Sequence, residues 1–102
     1  MLKVLILDDE LSAGKVLKLL IEKFIPVEKE IMVFQSSQEA LESLEYFNPS
    51  LIMLDIEMPE MNGFDFLNKA THSDFDVVFT TAYDQYAIKA IHFGHLYIQH
   101  NQ

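Results

Sequence analysis

The chain reads as an α/β protein built on a doubly wound parallel sheet of five strands. Three observations predict this. Short apolar runs alternate with longer amphipathic segments in the order β-α-β-α-β-α-β-α-β. The apolar runs are nearly continuous rather than alternating, as in strands covered on both faces. The segments between them carry a helical period and end on helix-stop residues. Right-handed crossovers between parallel strands then leave few topologies.

Each element follows from its residues. Leu2-Lys3-Val4-Leu5-Ile6-Leu7 is the first strand. From Leu11 to Ile25 the period changes: Leu17, Leu20, Ile21 and Phe24 share one helix face, Lys15, Lys18, Glu22 and Lys23 take the other, and Pro26 marks the stop. Glu30-Ile31-Met32-Val33-Phe34 is the second strand. Ser36 with Glu39 three residues on is a capping-box pattern that opens a helix burying Ala40, Leu41 and Leu44, closed before Asn48-Pro49. Leu51-Ile52-Met53-Leu54 is the third strand. Met58 to Gly63 is a loop by its Pro, Asn and Gly content, and Phe64 to Ala70 suits a short helix. Asp76-Val77-Val78-Phe79-Thr80 is the fourth strand. Tyr83 to Phe93 is a helix ended by Gly94, and Leu96-Tyr97-Ile98 is a last short strand before a polar tail.

Composition narrows the function classes. With 102 residues, 50% of them hydrophobic, the chain buries one core and is too short for two domains. The net charge is −9, and all seven basic residues are lysines. Such a chain repels phosphate backbones and lacks the guanidinium fork that grips them, so direct nucleic-acid binding is not expected. A cation or a basic partner suits it better. The absence of cysteine excludes disulfides, thiolate zinc sites and thiol catalysis. No apolar run is long enough to span a membrane, and Lys3 followed by the acidic run Asp8-Asp9-Glu10 is not a signal peptide, so a cytoplasmic single domain is expected.

In an open parallel α/β sheet, sites form outside the carboxyl ends of the strands. The first strand is followed there by Asp8-Asp9-Glu10, the third by Asp55 with Glu57 two residues on, and the fourth by Thr80-Thr81-Ala82. Any one of these residues alone is equally at home as a helix cap or turn residue. Carboxylates converging from separate strand ends are harder to obtain by capping. They repel one another and need a cation or a proton. With oxygen ligands and no Cys or nearby His, Mg²⁺ is the expected ion. A carboxylate beside Mg²⁺ can act as a nucleophile towards a phosphoryl group. The histidines His72, His92, His95 and His100 show no metal-ligand spacing and are read as surface residues.

Three blocks carry a family resemblance: Val4 to Glu10, Leu54-Asp55-Ile56-Glu57-Met58-Pro59-Glu60-Met61-Asn62-Gly63-Phe64, and Val78 to Tyr83. Together they resemble the receiver domain of bacterial two-component response regulators. Tyr83-Asp84-Gln85-Tyr86-Ala87-Ile88-Lys89-Ala90 looks like the branch whose receivers precede a LytTR-type DNA-binding domain. The resemblance implies a flavodoxin-like sheet of order 2-1-3-4-5 and phosphoryl transfer from a sensor histidine kinase to Asp55. It implies Mg²⁺ held by Asp9, Asp55 and the backbone carbonyl of Glu57, with Asp8 completing the acidic pocket. Thr81 would be the switch hydroxyl and Tyr97 the counterpart of the switch aromatic. A phosphoacceptor rather than an enzyme in its own right is implied.

The chain departs from the family pattern after its last strand, where Gln99-His100-Asn101-Gln102 holds neither the lysine nor the proline expected there. No fifth helix or output domain follows, so a receiver domain over residues 1–102, incomplete at its C-terminus with the last helix missing, is expected. An uncovered sheet face would favour a homodimer or other self-association. The competing reading is a degenerate receiver-like interaction module without phospho-switching. A flavodoxin-like cofactor binder is disfavoured because Asp8-Asp9-Glu10 would repel a phosphate. An aspartyl-phosphate phosphatase is disfavoured because Glu57 stands where a second Asp is wanted.

Overall fold

The computed structural model describes residues 1–56, 58–59, 61–70 and 74–80, and residues 96–99 as backbone. The elements are β1 (Leu2–Leu7), α1 (Leu11–Phe24), β2 (Lys29–Phe34), α2 (Ser37–Phe47), β3 (Leu51–Leu54), α3 (Gly63–Lys69), β4 (Asp76–Thr80) and β5 (Leu96–Gln99). They build one parallel five-stranded sheet of order β2-β1-β3-β4-β5. The expected helix from Tyr83 to Phe93, the polar tail from His100 and the four histidines lie outside the described residues.

Alternation along the strands sends side chains to two layers. Leu5 and Leu7 of β1, Ile52 and Leu54 of β3, and Val77 and Phe79 of β4 pack with Ala40, Leu44 and Phe47 of α2 and with Phe64, Phe66 and Leu67 of α3. Phe64 and Phe79 meet with ring centroids 5.2 Å apart. On the opposite face Val4, Ile6 and Met53 pack against Ile21 of α1. Burying a side chain of this size is worth about 1.5–3 kcal/mol. Covering both faces explains why β1 is apolar without alternation from Val4 to Leu7.

The helix ends follow local chemistry, with small shifts from expectation. α1 stops at Phe24 rather than Ile25, because Ile25 precedes Pro26 and takes an extended conformation (φ −109°, ψ 102°). Lys29 then donates from Nζ to the Ile25 carbonyl at 2.8 Å. The Ser36 hydroxyl accepts from the Glu39 backbone N–H at 3.3 Å, as the capping-box pattern requires. α2 closes on Asn48 in the left-handed region (φ 49°), which Asn tolerates better than most residues. α3 begins at Gly63, one residue early, because the Asn62 side chain accepts from the Asp65 N–H at 2.9 Å. β2 gains Lys29 through its pairing with Leu2.

The apolar stripe on α1 is only partly buried. Ile21 is buried, but Leu20 is 46% and Phe24 67% exposed. The helix meets the sheet along a narrow line through Gly14 and Ile21. A Cβ at Gly14 would stand 2.7 Å from Val33 Cγ1, which shows how close the approach is. The flank carrying Val16, Leu20 and Phe24 points past that line. Among the described residues, no helix is long and apolar enough to cross a membrane.

Candidate functional site

The sheet register brings the acidic residues together. Leu7 of β1 pairs with Leu54 of β3, so Asp8 and Asp55 leave the same rim side by side. The Asp55 N–H donates to the Leu7 carbonyl at 3.0 Å and the Asp8 N–H to the Phe34 carbonyl at 3.1 Å, which extends both ladders one residue past the strands. One carboxylate oxygen each from Asp8, Asp9 and Asp55 lies within 4.8 Å of the others. Asp8 is buried, Asp55 half-buried and Asp9 exposed.

Capping does not account for this cluster. The N-cap of α1 is Glu10, whose side chain makes no capping hydrogen bond. Asp8 accepts from the Glu10 N–H at 2.9 Å, an Asx-turn contact that engages one carboxylate oxygen. Desolvation by burial pushes the Asp8 carboxyl above its ordinary pKa. The Glu10 N–H opposes that, while the charges of Asp9 and Glu10 and a hydrogen bond with Asp9 add to it. A group held in this way favours a proton or a cation beside it. An all-oxygen donor set of two or three carboxylates suits a hard divalent ion such as Mg²⁺, which keeps several of its waters. The residues present therefore fit that ion.

The loop after Asp55 is packed into the core. Ile56 is 2% and Met58 9% exposed. The Gly63 N–H donates to the Ile56 carbonyl at 2.9 Å. A Cβ at Gly63 would lie 3.0 Å from both the Asp55 carbonyl oxygen and Ile56 Cα, so a side chain there would press on the backbone of the strand end, and glycine lets α3 begin this close to it.

Glu57, Thr81 and the side chain of Tyr97 lie outside the described residues. Thr80 ends β4, and its Oγ1 is buried without a hydrogen-bond partner among the described residues. It lines a cavity of about 370 Å³ with Asp8, Ser12, Val16 and Leu20. Sequence reasoning missed two polar residues beside the rim. Gln35 Nε2 donates to the Asp9 carbonyl at 3.3 Å, and Ser37 Oγ lies 3.5 Å from the Met61 carbonyl oxygen. The signal available for them was weak: polar residues directly after a strand that ends at the acidic rim.

Comparison with known proteins decides the family. The response regulator receiver domain model matches residues 4–98. This chain is a response regulator receiver domain. The sensory transduction protein LytT of Bacillus cereus is 40% identical over 95 residues, which cover 88% of this chain and 37% of LytT. The receiver thus spans little more than a third of the length of that relative. The crystal structure of the N-terminal domain of an uncharacterized protein from Wolinella succinogenes matches with a TM-score of 0.79 at 30% identity, over 95% of this chain and 80% of that one. Chemotaxis protein CheY4 of Vibrio cholerae matches with a TM-score of 0.79 at 19% identity, over 99% of this chain and 87% of that one, a likeness of fold. The flavodoxin-like architecture and the sheet order expected of a receiver are those described above.

Proposed function

We propose that this receiver accepts a phosphoryl group on Asp55 from a sensor histidine kinase in a cytoplasmic phosphorelay. The observation that carries the reading is the convergence of the Asp8, Asp9 and Asp55 carboxylates at the ends of β1 and β3. An Asp55 carboxylate oxygen attacks phosphorus, the bond to the donor's imidazole nitrogen breaks, and that nitrogen keeps the electron pair. Asp9, Asp55 and the Glu57 carbonyl would hold Mg²⁺, with Asp8 as the buried acidic neighbour. When bound, the ion offsets the charge on the transferring phosphoryl oxygens. Thr81 is the hydroxyl that engages the phosphoryl group, and Tyr97 is the aromatic that follows it. The same site supports slow loss of the phosphoryl group to water.

Incubation with acetyl phosphate and Mg²⁺ tests this. A single phosphate mass increment is expected, lost in Asp55→Asn. A receiver-like module without phospho-switching would take no label at all. We further propose self-association through α1, supported by its apolar flank, where Val16 is 54%, Leu20 46% and Phe24 67% exposed. Sedimentation of the wild type against Phe24→Glu reads this: a dimer that the charge dissolves supports it, and a wild-type monomer refutes it.

A further inference from the structure

Past the bond from the Asp55 N–H to the Leu7 carbonyl, sheet hydrogen bonds no longer join the two acidic loops among the described residues. The connection from β2 to α2 bridges them instead. Gln35 reaches one way, donating from Nε2 to the backbone carbonyl of Asp9 at 3.3 Å. Ser37, two residues on, reaches the other way, with Oγ 3.5 Å from the Met61 carbonyl oxygen and 3.9 Å from Met58 Sδ. Ser36 between them is committed to capping α2. Ser37 is 4% exposed, so its hydroxyl faces these two acceptors rather than bulk water. Asp9, Gln35, Ser36, Ser37, Met58 and Pro59 enclose a small cavity of about 110 Å³ between the two halves.

We propose that Gln35 and Ser37 form a clasp that sets the distance between the Asp9 loop and the loop following Asp55, and so tunes the site for Mg²⁺. They are positioning residues, acting through the backbone of Asp9 and through Met58 and Met61. The inference rests on the metal site proposed above. Its physical basis is that Mg²⁺ demands near-ideal octahedral geometry at about 2.0–2.1 Å, whereas Ca²⁺ accepts flexible coordination at about 2.3–2.6 Å. Loosening the clasp therefore penalises Mg²⁺ more than Ca²⁺. A general loss of folding would weaken both ions alike.

Calorimetric titration with MgCl₂ and with CaCl₂ tests the clasp on wild type, Gln35→Ala, Ser37→Ala, Ser37→Cys and the double alanine variant. Contacts that orient metal ligands are worth roughly tenfold or more in affinity. Ser37→Ala should lose Mg²⁺ affinity by about that factor, Gln35→Ala by less because it is exposed, and Ca²⁺ affinity should fall less in both. Ser37→Cys, which keeps a weak donor of similar size, should lie between Ser37→Ala and wild type. The double variant should lose less than the product of the two single losses. A wild type that binds no Mg²⁺ refutes the metal site itself. A wild type that binds it, with the Mg²⁺-to-Ca²⁺ ratio unchanged in every folded variant, refutes the clasp alone. Gln35→Ala removes only an exposed side chain, so its ratio remains readable even where Ser37→Ala does not fold.

Discussion

The two loops that carry the acidic cluster are built in opposite ways. The β3–α3 loop, which begins at Asp55, is sunk into the core through Ile56 and Met58, closed by the Gly63-to-Ile56 hydrogen bond, and followed by a helix capped by Asn62. The β1–α1 loop has an exposed Asp9 and a helix whose N-cap, Glu10, makes no side-chain capping bond. Under the proposed roles, the difference bears on how each carboxylate is placed. A nucleophile has to hold one geometry, because small misplacement is costly in rate. Asp9, on a loop with less packing of its own, depends instead on the Gln35 contact to its backbone for its place.

The largest expected effect comes from disturbing the packed loop. Gly63→Ala places a methyl group against the Asp55 carbonyl and Ile56 Cα, both backbone atoms that cannot rotate aside. Overpacking of this kind costs about 1–3 kcal/mol. Chemical denaturation should show that loss, and acetyl phosphate labelling should slow with it. An unchanged midpoint and rate would mean that the loop is not held as described.

A middle-sized effect separates stability from metal binding at Asp8. Its carboxyl has a pKa raised by burial, so it binds a proton more tightly folded than unfolded. The unfolded chain therefore holds fewer protons at this group, and stability falls as pH rises from the ordinary carboxylate value through the raised one. The penalty is complete above the raised value. Asp8→Asn removes it while keeping an oxygen for the Glu10 N–H. Without metal, its melting temperature at neutral pH should exceed that of the wild type by a few degrees. The gap should close in acid, and Mg²⁺ should stabilise the variant less. A lower melting temperature at neutral pH would contradict this account of Asp8.

The smallest effect sharpens the contrast between the two helix starts. Asn62→Ala should cost about 1 kcal/mol, the usual worth of a side-chain N-cap. Glu10→Ala should change stability little, since that side chain caps nothing. Equal losses at the two positions would erase the distinction between the loops.

Much of this architecture was legible in the residues. Continuous apolar runs announced strands covered on both faces, and Ser36 with Glu39 announced the start of α2. The placement of Asp8, Asp9 and Asp55 at strand ends followed from the general geometry of parallel sheets. Other features left no periodic trace. The exposure of Leu20 and Phe24 depends on where α1 touches the sheet, and helical spacing does not encode that. The bridges from Gln35 to Asp9 and from Ser37 to Met61 join residues 26 and 24 apart in the chain through single side-chain-to-backbone contacts. The early start of α3 reflects the Asn62 cap together with a close backbone approach that glycine eases.

The central claim is that Asp55, held by the packed loop, is the nucleophile. After treatment with acetyl phosphate and Mg²⁺, borohydride reduction converts an aspartyl phosphate to homoserine, and tandem mass spectrometry of the digest locates it. Homoserine at position 55 and at no other aspartate is the predicted result. Homoserine at Asp8 or Asp9, or none in a protein that has taken up the phosphate mass, would contradict the account.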